Sequence, residues 1–205
     1  MAPKSIKLTY FDGRGRAEVS RYILAAARQK YEDIRLSREE WVEKKPQTPF
    51  GQLPILEIDG KVYTESIAIA TYLAREFGFY GKTSLDGLKI DQVVQLGMDL
   101  LRAGFTVFME SDETKKAELM KNLKDVEVPK FYGFFENLLK ESDTGYFVGN
   151  DLTLADIFVF DCEHNISSRN VTTAEGFPRL QNLIKKVGSN EGIKAHIAAR
   201  KDTPF

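Results

Sequence analysis

The chain has 205 residues, 42% hydrophobic and 29% charged, with 29 Lys and Arg set against 30 Asp and Glu for a net charge of −1. That is enough to fill a core in one large domain or two small ones, and it lacks the basic excess of a nucleic-acid binder. One cysteine, Cys162, and two histidines leave no disulfide framework and no expected metal site, while the absence of a long apolar run or a signal-like start argues against a membrane and for a cytoplasmic protein.

Residues 5–10 alternate in polarity and predict a strand, broken by Asp12-Gly13-Arg14-Gly15. Residues 16–28 place Val19, Tyr22, Ile23 and Ala26 on one helical face. Tyr31 to Leu36 is a second strand, and 38–46 a short polar helix stopped near Pro46. Pro54 to Ile58 is a third strand, Asp59-Gly60 signals a hairpin, Lys61 to Thr64 returns, and 66–77 is helical with Gly78 to end it. The order βαβαββα describes a small α/β domain with a mixed four-stranded sheet, over residues 1–80.

Strand signals nearly vanish after Gly81. Residues 84–110 and 114–142 read as long helices, Thr153-Leu154-Ala155-Asp156 opens another as a capping box, and helices near 177–187 and 190–199 follow. Residues 81–205 are therefore expected to form an all-helical bundle.

Few residues qualify for chemistry. Gly13-Arg14-Gly15-Arg16-Ala17-Glu18 begins like a dinucleotide fingerprint, but Glu18 stands where its third glycine belongs and would repel a pyrophosphate. His164 and His196 read as surface or satisfied helical histidines, and Asn165-Ile166-Ser167 and Asn170-Val171-Thr172 as sequons without meaning in a cytosol. Three junctions remain. Tyr10 ends the first strand before a glycine-rich turn. Leu53-Pro54 opens a strand with a bond that can be cis. Glu65-Ser66 lies where a strand meets a helix whose N–H groups can hold a carboxylate. Each has an ordinary structural reading as packing or capping. Together they suit a peptide-like ligand bearing carboxylates.

In this order and spacing the motifs resemble the cytosolic glutathione transferases, specifically the sigma class and its nematode-like members, over essentially the whole chain. The resemblance is carried by Lys7-Leu8-Thr9-Tyr10-Phe11, Gly13 to Glu18, Trp41 with Lys45, Pro49 to Leu56, Glu65 to Ala70, Gly145 to Gly149, Leu152 to Asp156 and the closing Arg200 to Phe205. It implies a thioredoxin-like glutathione-binding domain followed by an all-helical domain lining a hydrophobic-substrate pocket, in a homodimer. Reduced glutathione would be the co-substrate, with no metal required.

The resemblance also implies roles. Tyr10 would stabilise the glutathione thiolate, with Arg16 adding a positive field. Trp41 and Lys45 would hold the glycine end, Gln52 and Leu53 the cysteinyl backbone beside a cis Pro54, and Glu65 and Ser66 the γ-glutamyl end. Asp99 matches an acid reaching that end from the other subunit. Phe11, Gly15, Phe105, Phe108 and Phe205 are candidates for the hydrophobic substrate, although Phe105 and Phe108 could equally be helix core. Glu65 departs from the glutamine of many sigma members, and Val42 from their proline after Trp41. The implied activity is conjugation of glutathione to hydrophobic electrophiles, a detoxification reaction. The alternatives are a ligandin that carries haem, and a prostaglandin isomerase. Trp41 is the only tryptophan, so the aromatic wall of the vertebrate prostaglandin D synthase has no tryptophan here. A non-catalytic relative, such as a lens crystallin, need not keep Tyr10, Lys45 and Ser66.

Overall fold

A computed structural model describes residues 5–169, 171–201 and 203. The first unit contains a four-stranded sheet of order β2-β1-β3-β4. β1 (Ile6–Phe11) runs parallel to β2 (Glu32–Leu36), antiparallel to β3 (Ile55–Ile58), and β3 antiparallel to β4 (Lys61–Tyr63). The interior strands carry the apolar load. Ile6, Leu8, Ile55 and Leu56 are buried, whereas β4 is exposed at every residue. α1 (Glu18–Ala26) buries Val19, Tyr22, Ile23 and Leu24, and α3 (Ser66–Glu76) buries Ile69, Ala70, Leu73 and Ala74. Between them, α2 (Arg38–Lys44) starts in a capping box of Ser37 and Glu40 and buries nothing. The predicted elements and their order match, apart from trimmed ends. Residues 15–17 form a 3₁₀ turn, and α1 stops at Ala26.

The described residues of the second unit, 80–189, form five α-helices: α4 (Ser84–Met109), α5 (Glu113–Asn122), α6 (Val128–Ser142), α7 (Leu154–Ser167) and α8 (Pro178–Gly188). α7 is its core, buried continuously from Leu154 to Glu163. α4 packs on it through Gly97, where an added Cβ would lie 2.7 Å from the Phe158 ring and 3.1 Å from Cys162 Sγ. The long helix expected over 114–142 is interrupted. Residues 123–127 form a π-helical turn between α5 and α6. Pro129 supplies the reason: it has no N–H to donate, and its ring pushes on the carbonyl four residues back.

α9 (Glu191–Ala199) follows the helical unit in sequence but packs with the first, against α1. Gly192 permits the approach, since a Cβ there would lie 1.9 Å from the Ala25 carbonyl oxygen. Arg28 pairs with Glu191 across the same contact.

The start of α7 is fixed by Asp156, which is fully buried. Its Oδ2 accepts from the Thr153 N–H and hydroxyl, both at 2.7 Å, and its Oδ1 accepts from the Phe147 N–H at 2.9 Å. Burial raises its pKa to about 6, against the lowering effect of those bonds. Asp156→Ala leaves buried donors unpaired and is expected to cost about 3 kcal/mol of stability. Asp156→Asn keeps one acceptor and should lose less, both read from chemical denaturation midpoints.

Candidate functional site

Strand pairing brings distant segments to one end of the sheet. β1 arrives there at Tyr10 and Phe11, with Phe11 beside Leu36 at the end of β2. β3 leaves from the same end, because Ile55 pairs with Thr9, so Leu53 and Pro54 come just before it. β4 returns to it at Tyr63, opposite Leu56, and passes through Thr64 and Glu65 into α3. The expected junctions thus meet through register alone.

Tyr10 lies over the turn that follows it. Gly15 sits at φ +43°, and a Cβ on it would fall 2.6 Å from both Tyr10 Cε1 and the hydroxyl. A glycine is required on both counts. The Arg16 backbone N–H donates to Tyr10 Oη at 3.2 Å. The expectation for Arg16 was a charge near Tyr10. What reaches the hydroxyl is its main chain, and its side chain is exposed.

The turn is held from below by Arg21, which is completely buried. Its Nη1 donates to the Gly13 carbonyl at 2.7 Å and to Glu18 Oε2 at 3.1 Å, and its Nε donates to Asp33 Oδ1 at 3.1 Å. Glu18 Oε1 in turn lies 2.9 Å from both His196 Nε2 and Arg200 Nη1. Burial alone would raise the pKa of Glu18. The bond and charge of His196, with the charge of Arg21 and the bond from Arg200, outweigh it and hold the group at about 2.

This network was missed in the sequence. The signal was there: an opposite-charge pair three residues apart, Glu18 and Arg21, within the same turns that bury Val19, Tyr22 and Ile23. His196 is a satisfied histidine, as read, and its partner is Glu18.

Tyr10 and Phe11 meet edge to face at 5.6 Å, and Phe11 meets Trp41 at 6.1 Å, so an aromatic row leads from β1 to α2. Lys45 follows α2 in a 3₁₀ turn and lies exposed, its Cε 3.3 Å from where a Cβ of Gly51 would be. Thr48 ties this loop, donating to the Lys45 carbonyl at 2.8 Å and accepting from the Gly51 N–H at 3.1 Å. Gln52 is exposed and Leu53 half-buried, and the Leu53–Pro54 bond is cis. Glu65 adopts φ +71° and ψ 106°, a region an ordinary side chain rarely enters. Its side chain does not cap α3, so the first-turn N–H groups beside Ser66 remain available to an anion.

The remaining candidates lie in the second unit. Asp99 pairs with Arg102 at 2.8 Å on an exposed stretch of α4. Phe105 is 56% exposed, and Phe108 lies under the Arg169 guanidinium at 3.9 Å. Phe205 falls outside the described residues. Among the described residues, no three His, Cys, Asp or Glu side chains gather as a metal site. No helix there is long and apolar enough to cross a membrane. The first unit therefore offers a hydroxyl, an exposed backbone edge, a cation and an uncapped helix start at one sheet end, groups that suit a short peptide-like ligand bearing carboxylates.

Comparison with known proteins points the same way. Residues 6–75 match the glutathione S-transferase N-terminal domain family and residues 98–200 the C-terminal domain family. A probable glutathione S-transferase 7 of Caenorhabditis elegans is 42% identical over 202 residues, covering 97% of this chain and 98% of its own. A monomeric glutathione S-transferase from the hookworm Necator americanus superimposes with a TM-score of 0.87 at 40% identity, covering 98% of this chain and all of the other. A prostaglandin synthase D of Nilaparvata lugens does so with 0.90 at 32% identity, covering 97% of this chain and all of its own.

The Glu18 network carries an acid signature. A carboxylate held at about 2 instead of 4.5 contributes stability that is fully present above pH 4.5 and is lost as the pH falls through about 2. Over that window Glu18→Gln should flatten the pH dependence of unfolding free energy by about 3 kcal/mol. Equal slopes for both proteins would show that the pairing contributes nothing.

Proposed function

The chain belongs to the glutathione S-transferase family, of the sigma/nu type, and from that premise we propose that Tyr10 activates the thiol of glutathione for attack on apolar electrophiles. The observation that carries this is the Tyr10 hydroxyl held over Gly15 and accepting from the Arg16 N–H. With its oxygen accepting that bond, the phenol directs its own O–H outward. Donated to a thiol sulfur, that O–H favours the thiolate, and each unit by which the thiol pKa falls from about 8.5 is worth about 1.36 kcal/mol. The thiol proton leaves to solvent. The thiolate then forms a carbon–sulfur bond as the electrophile loses its leaving group or adds across an activated double bond.

The rest of the site orients glutathione. Lys45 takes the glycine carboxylate, with Trp41 beside it. Leu53 offers its main-chain N–H and carbonyl to the cysteinyl residue next to cis Pro54, and Gln52 flanks it. Ser66 and the start of α3 receive the γ-glutamyl carboxylate, while Glu65 faces its ammonium group. Asp99 of the partner subunit is the remaining acid for that ammonium, in a homodimer. Exposed Phe50 and the exposed β4 residues Val62 and Tyr63 support such a pairing surface on the first unit. Apolar electrophiles would lie against Phe11, next to Tyr10. Conjugation is preferred over prostaglandin isomerisation because the single tryptophan is committed to α2.

Tyr10→Phe should lower conjugation of a chromogenic aryl halide about 10–100-fold near neutral pH and move the pH–rate profile up towards the free thiol at about 8.5. A rate and profile equal to wild type would remove Tyr10 from the chemistry. No rate in either protein, with glutathione still bound, would favour a carrier such as a haem-binding ligandin. Gly15→Ala should act in the same direction by displacing the Tyr10 ring. Lys45→Ala, by contrast, should raise KM for glutathione about tenfold with kcat nearly unchanged, in steady-state kinetics.

A further inference from the structure

A cleft of about 280 Å³ lies within the first unit between β2 and the end of α9, along the sheet edge opposite β3 and β4, and it reaches up to Arg35, which pairs with Tyr10 of β1. Tyr31, Asp33 and Arg35 line one wall, two residues apart and so on one side of the chain. His196, Arg200 and Lys201 line the other.

The charges do not cancel. Three fixed cations, Arg35, Arg200 and Lys201, line the cleft, and with the buried Arg21 they share three carboxylates, Asp33, Asp12 and Glu18, so one positive charge is left over. Asp33 already serves Arg21 as well as Arg35. Asp12, the next acid along, reaches Arg35 at 3.4 Å and Lys201 at only 3.8 Å. Arg200 uses one nitrogen, Nη1, for both Glu18 and the Tyr22 hydroxyl. Its Nε and Nη2 donate to nothing among the described residues, although its side chain is only 15% exposed. A guanidinium fixed by a buried carboxylate at one nitrogen, with its other donors unused, is preorganised for an oxyanion. Such a bond needs no rupture of the Glu18 pair. The volume admits a head group with about one ring attached, at the low end of small-molecule sites. Tyr31 gives that ring an aromatic wall, and burial keeps its phenol protonated.

We propose that this cleft binds the oxyanion head, carboxylate or phosphate monoester, of a small organic anion, at a site distinct from that for glutathione. Arg200 grips the oxygens with its remaining donors, Arg35, whose Nε and Nη2 already hold Asp33, adds positive charge, Lys201 closes the open side, and the organic group packs on Tyr31.

The test is calorimetric titration of the protein with phenyl phosphate, run with and without saturating glutathione. Saturable binding at a Kd of about 0.1–1 mM is expected, unchanged by glutathione. Lys201 is 80% exposed, so Lys201→Glu should keep the fold and weaken binding at least about tenfold. Arg200→Lys, which keeps a cation for Glu18 but removes the fork, should weaken it comparably. Absence of saturation at about 10 mM, displacement by glutathione, or full affinity in Lys201→Glu would each overturn the proposal. Because the first titration contains no glutathione, its result stands apart from the transferase reading.

Discussion

The constraint on which the first unit depends is the complete burial of the Arg21 guanidinium. A buried charge of this kind is tolerated only when it is paired and hydrogen-bonded. The Arg21 Nη2 has no partner among the described residues, so the demand falls on Nε and Nη1, which are met by Asp33, by Glu18 and by the carbonyl of Gly13. The last of these converts a folding requirement into a positioning device. The Gly13 carbonyl cannot drift without leaving a buried cation underserved. The turn running from Gly13 to Arg16 therefore has one conformation in which Gly15 passes under the Tyr10 ring and the Arg16 N–H meets its oxygen. Replacing Arg21 by an apolar residue could still fill the core. It would release the turn.

The second constraint is topological. Placing β3 antiparallel to β1 in a sheet whose other interior pair is parallel sends the start of β3, the ends of β1 and β2, and the exit of β4 to one edge. Backbone and side-chain donors from four separated segments then lie near one another without any long loop. Glu65, held at φ +71° where β4 gives way to α3, is the strained link in this arrangement. Strain at this point turns the chain so that α3 starts towards the sheet end, with its first N–H groups uncapped.

Much of this was legible because it is written in local signals. Tyr10, Leu53-Pro54 and Glu65-Ser66 all stand where a period-two pattern stops or a helix begins, and such junctions can be read without knowing the fold. The Thr153–Asp156 box is local for the same reason. Other features depend on partners far away in sequence. That α9 packs on α1 follows from Gly192 fitting against the Ala25 carbonyl, a match invisible to periodicity. The Glu18–His196–Arg200 contacts span 178 and 182 residues. Only their near half, Glu18 with Arg21, could have been noticed. The π-helical turn before Pro129 was readable in principle, because proline inside a helical pattern announces a disturbed ladder. The wide turn keeps the chain helical where a break would have ended it.

Two buried acids show that burial alone does not set electrostatic character. Glu18 and Asp156 are both removed from water, and removal alone would raise the pKa of either. Asp156 receives only neutral donors, the N–H groups of Phe147 and Thr153 and a hydroxyl, and stays raised at about 6. Glu18 faces Arg21, His196 and Arg200, and falls to about 2. The signs then oppose. A raised acid favours folding most when protonated, so the Asp156 contribution is complete below pH 3.8 and is lost as the pH rises through about 6. The Glu18 contribution is complete above pH 4.5 and is lost towards about 2. Asp156 belongs to the helical unit, where it holds a helix start by geometry and tolerates a cost in charge. Glu18 belongs to the first unit, where its charge answers the cation that shapes the Tyr10 turn. The same carboxylate chemistry serves architecture in one unit and positioning in the other, and what separates the two uses is whether the donors around the acid carry charge.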